Sequence, residues 1–353
     1  LSGAMSVAVN RMVGGFGLSA YDLAGASYDS VYFSVASQAT SPTGVVFSTD
    51  GTKMIVLNQG NDTVYQYTLT TGFDPSTASY DSVSFSVAGQ ETNPLCIAFS
   101  TDGTKMFIAG YVNKRVYQYT LSTGFDISTA SYSSSSFSVN AQDVEPQGIT
   151  FNTDGTKMFI AGQTNGTVYQ YTLTTGFDIS TASYDSVSFS VTTEDNRLYG
   201  ITFNAAGTKM FIMGDTNNSV FQYTLSTGFD LSTASYDSVS FSVASEEVSL
   251  RDIAFNTDGT KMYILGSNSD SVHQYSTGGS PTFTSLADSL DEAVILHTTA
   301  STVSPSYTKT AINYAANARY TLLAPVTDYD VKLGNNQATI TSKVAGNIKG
   351  RIV

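Results

Sequence analysis

The chain has 353 residues, abundant Tyr, Phe, Val, Thr and Ser, no Trp, one Cys and a formal net charge of −13. This acidity argues against non-specific nucleic-acid binding and against docking on anionic membranes, because both need a basic surface. The single cysteine, Cys96, excludes an internal disulfide, and the sequence has no uncharged apolar run of the roughly 18 residues that a membrane-spanning helix needs.

The first 20 residues form an apolar, Gly-rich stretch unlike the sequence that follows. No basic segment precedes its apolar part, so it matches a secretory signal peptide poorly. We interpret residues 1–20 as an N-terminal extension.

From residue 21 to residue 276 the sequence repeats with a constant period of 52 residues. The Gly of a "TDGTKM"-like turn marks each copy, at Gly51, Gly103, Gly155, Gly207 and Gly259. A "YDSVSFSV"-like run and a "VYQY"-like run recur at the same step. A period of this length without insertions indicates a solenoid, a propeller or another repeat array.

Each repeat predicts four short strands, which we call A, B, C and D. In the third copy these are "GITFN" (148–152), "KMFIAG" (157–162), "TVYQYTL" (167–173) and "YDSVSFSV" (184–191). An Asp-Gly turn joins A to B, as in a hairpin. In strand D, apolar residues alternate with serines, which is typical of a half-buried strand. Four antiparallel strands per repeat indicate a propeller blade.

The ends of the repeat region set the number of blades. The region begins with an isolated strand D (28–35) and ends with strands A, B and C (253–275) that have no strand D after them. If the first strand D completes the last blade, the ring closes and hides both open edges. The sequence therefore predicts an all-β fold, a five-bladed β-propeller over residues 21–276 with velcro closure.

The remaining residues, 277–353, predict a small β-rich segment for attachment or homo-oligomerisation. "TKTAINYAA", "ATITSKV" and "NIKGRIV" are interpreted as strands, and "LGNNQA" as a hairpin turn. "SLADSLDEAVILH" predicts one or two helical turns.

The repeat "DGTKMFIAG…VYQYTLSTGFDISTASYDSVSFSV" resembles the Tyr-Val-Thr-Asn class of propeller repeats and, more specifically, repeats in structural and tail-associated proteins of marine bacteriophages. The segment "AINYAANARY…TDYDVKLGNNQATITS" is similar to short C-terminal β segments of such phage proteins. This resemblance implies a virion structural or adhesion protein, with other virion proteins and a host-surface glycan or protein as partners. A secreted bacterial cell-surface protein is the alternative location.

Differences among the five copies predict where binding occurs. In a propeller the A–B and C–D connections lie on one face, here called the repeated face, and the D–A and B–C loops lie on the other, here called the variable face. The A–B and C–D connections are nearly identical in all copies, whereas the D–A and B–C loops differ. Because binding residues concentrate in loops on a rigid scaffold, we predict the variable face to be the binding face.

The candidate ligand-binding residues all come from these variable loops. The first D–A column contributes Gln90, Gln142, Glu194 and Glu246, and the second contributes Glu91, Asp143, Asp195 and Glu247. The remaining candidates are Arg197, Arg251, Tyr111 and Tyr199. Carboxylates and amides could bind sugar hydroxyls or a cation, or could instead satisfy loop N–H groups. The arginines could be ordinary surface charges, and an exposed Tyr could stack on a sugar ring.

No nucleophile, P-loop, dinucleotide or zinc motif accompanies these residues, and no cofactor or metal site is predicted. We therefore predict a non-enzymatic binding protein. A glycan- or lactone-cleaving propeller and a ligand-free scaffold remain the alternatives, because propellers support all three roles.

Overall fold

The computed structural model describes residues 20–278 and three strands of the C-terminal segment. The first strand is β1 (Ser27–Ser34). Blade 1 contains β2 (Pro42–Phe47), β3 (Lys53–Asn58), β4 (Thr63–Leu69) and β5 (Ala78–Ser86). Blade 2 contains β6 (Pro94–Phe99), β7 (Lys105–Gly110), β8 (Arg115–Leu121) and β9 (Ala130–Ser138). Blade 3 contains β10 (Pro146–Phe151), β11 (Lys157–Gly162), β12 (Thr167–Leu173) and β13 (Ala182–Ser190). Blade 4 contains β14 (Leu198–Phe203), β15 (Lys209–Gly214), β16 (Ser219–Leu225) and β17 (Ala234–Ser242). Blade 5 contains β18 (Leu250–Phe255), β19 (Lys261–Gly266) and β20 (Ser271–Ser276).

The fourth strand of blade 5 is β1, which pairs with β20 in antiparallel register, with Tyr28 opposite Tyr275 and Phe33 opposite Val272. The strands A of neighbouring blades (β2, β6, β10, β14 and β18) contact one another in sequence, and β18 also contacts β2. The ring is therefore closed. This arrangement confirms the predicted five-bladed propeller and its velcro closure, with strand bounds within two residues of those predicted for the third copy.

The hydrophobic core consists of five layers, one between each pair of neighbouring blades. Each strand B contributes to the layers on both sides, which explains why "KMFIAG" is buried along nearly its whole length. Met158 and Ile160 pack toward blade 2, whereas Phe159 and Ala161 pack toward blade 4. Because each repeated strand must fit two similar neighbours, its sequence is nearly invariant among the copies.

The repeated face is built from tight turns that bond to one another. Gly155 has φ +73° in the A–B turn, and a Cβ at this position would overlap the ring of Phe177 from the C–D connection. Only glycine accommodates both the conformation and the contact. Between blades, the Thr49 hydroxyl donates to the Thr101 carbonyl (3.1 Å), and the Thr101 hydroxyl donates to the Thr153 carbonyl (2.8 Å).

Four C–D connections share the sequence "GFD-x-ST", and their aspartates form local turns: Asp74, Asp126, Asp178 and Asp230. The Asp126 side chain accepts hydrogen bonds from the backbone N–H (3.1 Å) and hydroxyl (2.6 Å) of Ser128. Each of these four aspartates caps a 3-10 helix: Pro75–Thr77, Ile127–Thr129, Ile179–Thr181 or Leu231–Thr233. Two other 3-10 helices lie at Leu23–Gly25 and Gln59–Asn61. The part of the chain described by the structure contains no helix long and apolar enough to cross a membrane.

Every strand D has a bulge that the sequence analysis did not predict. In blade 3 the register shifts between Tyr184 and Val187, and Ser186 takes φ +59°. The bulge turns Asp185 inward, where it accepts hydrogen bonds from the amine of Lys157 (2.8 Å) and the amide of Gln170 (2.9 Å). Burial alone would raise the pKa of Asp185, but these hydrogen bonds outweigh it and hold the pKa below its usual value.

Blade 2 lacks this ion pair, because Ser133 stands where the other four blades have Asp. Lys105 donates instead to the Phe177 carbonyl (2.9 Å). We expect Ser133→Asp to raise the free energy of unfolding by about 0.5–1 kcal/mol, a small gain because such lysines keep about a third of their side chain exposed. Urea unfolding at pH 7 measures this change. Asp185→Ser is the reciprocal control and should lower stability by a similar amount, and a destabilising Ser133→Asp would contradict the expectation.

The two ends of the propeller meet at blade 5. The Gly278 N–H donates to the Asp22 carbonyl (3.0 Å), and the Tyr21 N–H donates to the carbonyl of Gly259 in the A–B turn (2.8 Å). β20 ends, and β1 begins, on the repeated face.

The chain divides into two compact units, of which Ser19–Gly279 is the propeller. In the second unit the structure describes β21 (Ser306–Thr308), β22 (Tyr329–Gly334) and β23 (Gln337–Ser342). They form an antiparallel sheet in the order β21-β23-β22. Gly334 pairs with Gln337, which confirms the hairpin predicted from "LGNNQA". The helical turn predicted at 285–297, the strand "NIKGRIV" and all of the strand "TKTAINYAA" after Thr308 lie outside the described residues. The boundaries at 20 and 276 remain predictions.

Candidate functional site

Within residues 20–278, positive charge that does not belong to the repeat lies on the variable face. Residues 20–278 contain nine Lys and Arg residues against 24 Asp and Glu residues. Five of the nine are the lysines that open each strand B, and they belong to the repeat. The other four lie in or beside variable loops: Lys114, Arg115, Arg197 and Arg251.

Exposed apolar side chains show the same bias. Among the described residues, the large hydrophobic side chains on the surface are Tyr32, Tyr111, Val112, Val144 and Val248. Four of these five lie in D–A or B–C loops, with exposed fractions of 37–53%. The exception is Tyr32, on the outer strand β1. Among the four, the exposed Tyr111 is of a side-chain type that is enriched at interaction surfaces.

The second column of predicted site residues lies beneath this surface. Glu247 is 1% exposed and accepts hydrogen bonds from the backbone N–H groups of Ser249 (2.8 Å) and Ser269 (3.0 Å) and from the Ser269 hydroxyl (2.6 Å). It thereby joins a D–A loop to the B–C loop of the same blade. Buried carboxylates make the equivalent link in three other blades, at Glu91, Asp143 and Asp195. These four side chains hold the loops in place and present little surface to a ligand.

Blade 1 makes the same link with a different pair of residues. Ala39 replaces the carboxylate, and Asn58 replaces the glycine that ends strand B in the other blades. The Asn58 side-chain oxygen accepts the N–H of Ser41 (2.9 Å), which is the equivalent of Ser249. In blade 5 a Cβ on Gly266 would overlap the Glu247 carboxylate. A carboxylate in the D–A loop therefore requires glycine at the end of strand B. Alanine in the D–A loop, as at Ala39, leaves room for asparagine there.

The first column is partly exposed and is anchored by buried tyrosines. The Tyr223 hydroxyl donates to Glu194 (3.3 Å), and the Tyr275 hydroxyl donates to Glu246 (3.4 Å). The same contact is made to Gln38, Gln90 and Gln142 by Tyr67, Tyr119 and Tyr171. Burial raises the pKa of each of these tyrosines, so the hydroxyls remain proton donors. One side-chain oxygen or amide in each copy keeps capacity for a further hydrogen bond.

Arg197, Tyr199 and Arg251 come together across blades 4 and 5. The Arg251 guanidinium carbon lies 4.9 Å from the Tyr199 ring centroid, and that of Arg197 lies 6.0 Å away. Arg197 also donates to the Tyr199 hydroxyl (3.1 Å) and pairs with Asp215 (3.0 Å). Tyr199 is only 4% exposed, because the neighbouring side chains cover it. A stacking role toward a sugar is therefore open to Tyr111, which is 42% exposed, and not to Tyr199.

Asp252, which the sequence analysis did not single out, lies at the inner edge of strand A in blade 5. Its column is otherwise small: Gly44, Cys96, Gly148 and Gly200. The carboxylate accepts the N–H groups of Val45 in blade 1 (2.9 Å) and of Ile253 (2.8 Å). Although the residue keeps some exposed surface, burial among the inner strands raises the pKa of Asp252 to about 7. Comparison with the four small residues of the column was the available signal.

His273 replaces an aromatic residue in strand C of blade 5 and is 6% exposed. It contacts the Ser269 hydroxyl (3.1 Å), which in turn donates to Glu247. Burial lowers the pKa of His273, which favours the neutral ring. Within residues 20–278 no three or more His, Cys, Asp and Glu side chains are grouped so that they could hold a metal ion.

No family model and no curated protein matches the chain. Solved structures similar to it include a functionally unknown protein from Desulfotomaculum acetoxidans, at 14% identity and a TM-score of 0.42 over 64% of this chain and 65% of that one. They also include two proteins named as putative 6-phosphogluconolactonases. The one from Bacteroides uniformis has 15% identity and a TM-score of 0.43 over 66% and 67% of the two chains. The one from Bacteroides fragilis has 14% identity and a TM-score of 0.40 over 57% and 55%. The matched region thus spans about two thirds or less of those proteins. At these TM-scores no activity is carried over to this chain, and the fold assignment rests on its own strand topology.

Proposed function

We propose that this protein is a non-enzymatic binding protein that attaches to a partner through its variable face. In this proposal it is a structural or adhesion component of a bacteriophage virion, associated with the tail or a fibre. The partner is a glycan or protein on the host surface. The virion assignment rests on the resemblance of the repeats and of the C-terminal segment to phage proteins.

The observation that carries the binding proposal is that exposed apolar and cationic side chains lie mainly on one face of the propeller. Within residues 20–278, four of the five exposed large hydrophobic side chains, and all four cations that do not belong to the repeat, lie on the variable face. Tyrosine and arginine, two of the side-chain types in this set, are enriched among the residues that contribute most to association when they become buried in an interface. The buried carboxylates and the asparagine in blade 1 support this role, because they hold both loops of each blade in a defined conformation.

Binding of the fluorescently labelled full-length protein to bacterial isolates and to a glycan array tests the proposal. Tyr111→Ser combined with Val112→Ser should weaken binding by roughly 10-fold, because both side chains are exposed on the variable face. Tyr32→Ser is the matched control: this residue is more exposed, at 58%, but lies on the outer strand β1.

Equal loss in the control and the test variant would contradict the assignment of the binding face. Mass spectrometry of purified virions tests the location, and absence of the protein from them would contradict the virion assignment. Release of reducing ends that is abolished by Glu194→Gln or Glu246→Gln would show a glycan-cleaving enzyme instead.

A further inference from the structure

Arg251 has fewer hydrogen-bond and ion-pair partners than the other cations of the variable face. Its Nε donates to the Ser267 hydroxyl (2.8 Å), and its guanidinium lies against the Tyr199 ring. Among the described residues, neither terminal nitrogen of Arg251 has a hydrogen-bond partner, and no carboxylate lies within ion-pair distance of it. The guanidinium is therefore held in position while its two terminal nitrogens, Nη1 and Nη2, can still donate hydrogen bonds to a ligand.

The other three cations already have partners. Arg197 pairs with Asp215, and Arg115 donates to the side chain of Ser136 (2.9 and 3.1 Å) and to its carbonyl (3.4 Å). Lys114 donates to the Val112 carbonyl (3.3 Å). Because Asp215 also accepts the N–H of Leu250 (3.1 Å), its charge is directed toward Arg197 and the start of β18. Of these four cations, Arg251 thus has the most N–H groups left to donate hydrogen bonds to a ligand.

A guanidinium presents two parallel N–H groups that match the oxygens of a carboxylate, sulfate or phosphate. Stacking on Tyr199 and the bond to Ser267 restrict the Arg251 side chain before any ligand arrives, which lowers the entropy lost on binding. Partial burial beside the tyrosine also strengthens the ionic contact relative to open solvent.

The charge of the rest of the propeller limits what this site can bind. With 24 acidic residues against nine basic residues in 20–278, a long polyanion would meet repulsion beyond the immediate site. A single charged group on an otherwise neutral molecule would not, because repulsion from distant charges is screened over about 8 Å at physiological salt.

We propose that Arg251 binds one carboxylate or sulfate group of an otherwise neutral ligand, such as an acidic sugar unit within a neutral glycan. This inference rests on the proposed function, since it names the chemistry of a ligand for the same face.

NMR of the arginine side chains of the full-length protein tests the site without knowledge of the ligand. The Arg251 Nε–H signal, assigned by its absence from Arg251→Gln, is followed while sodium chloride is replaced by sodium acetate or sodium sulfate at constant ionic strength. We expect a saturable shift for Arg251 in at least one anion, whereas the hydrogen-bonded Arg115 should show only a smaller shift that stays linear. Saturation in acetate assigns a carboxylate, and saturation in sulfate alone assigns a sulfate. A shift that stays linear and equal to that of Arg115 in both anions overturns the proposal.

Arg251→Gln should also weaken attachment to cells or glycans by roughly 10- to 100-fold, the usual range for a lost charge-assisted hydrogen bond. Lys105→Gln removes a cation from the repeated face that has no carboxylate partner among the described residues, and it should leave attachment within about two-fold. Attachment that depends on Tyr111 and Val112 but not on Arg251 would overturn this inference and leave the proposed function standing. Saturable anion binding at Arg251 without attachment through the variable face would overturn the proposed function and leave the anion site at Arg251 standing.

Discussion

Glu247→Ala is expected to lower the free energy of unfolding by roughly 3 kcal/mol, because it leaves part-buried N–H groups of two loops without their acceptor. The Glu247 carboxylate accepts the N–H groups of Val248, Ser249 and Ser269, and almost none of it reaches solvent. Urea unfolding measures the loss. The matched control is Glu246→Ala, one residue earlier. Among the described residues, that partly exposed carboxylate accepts one long hydrogen bond, from Tyr275 (3.4 Å), so its removal should cost about 1 kcal/mol or less.

The same site allows a rescue that copies blade 1. Gly266→Asn alone should destabilise the protein, because the new side chain overlaps the Glu247 carboxylate. Combined with Glu247→Ala it recreates the pair Ala39 and Asn58, whose amide oxygen holds the loop in blade 1. We expect the double variant to recover at least half of the loss, a coupling of roughly 2 kcal/mol. Strictly additive losses would show that the buried carboxylate and the glycine do not form one unit.

The propeller is expected to lose stability as the pH rises through the pKa of Asp252, which is about 7. The folded protein holds this proton more tightly than the unfolded chain, whose Asp ionises near pH 4. The contribution to stability is therefore full below about pH 4 and is lost as the pH rises from there through the pKa of the folded protein. Between pH 5 and pH 8 the contribution should fall by about 2–3 kcal/mol.

Two variants isolate this contribution by urea unfolding at several pH values. Asp252→Asn keeps the size of the side chain, and Asp252→Gly copies Gly44, Gly148 and Gly200 of the other blades. They differ in packing but both lack the ionisable group, so both should remove the same part of the pH dependence. A pH dependence that persists unchanged in both variants would exclude Asp252 as its source.

The architecture of the ring was predictable because every blade packs against its two neighbours with nearly the same residues. An invariant period and an unpaired strand at each end sufficed to predict the blade count and the closure. The bulge at Ser186 was not predictable from the alternation of strand D. "YDSVSFSV" reads as one regular strand, and the shift that brings Asp185 to Lys157 depends on pairing with strand C.

The candidate site was less predictable, because column position does not show whether a side chain points inward. Glu246 and Glu247 are adjacent in sequence, yet one is partly exposed and the other is buried. One signal was present in the sequence: carboxylates occur with glycine at the end of strand B, and Ala39 occurs with Asn58. A second was the spacing of Tyr199 and Arg251, one repeat apart, which places them side by side on neighbouring blades.

The hydrogen bond between Gly278 and Asp22 brings the two ends of the propeller together. Both of its covalent connections leave from blade 5 on the repeated face, because β20 ends there and β1 begins there. A linker, reporter or immobilisation tag joined directly at either end of the ring is therefore attached on the side opposite the variable loops. A sensor surface that captures the ring through either end would leave Tyr111, Val112 and Arg251 free to meet a partner in solution.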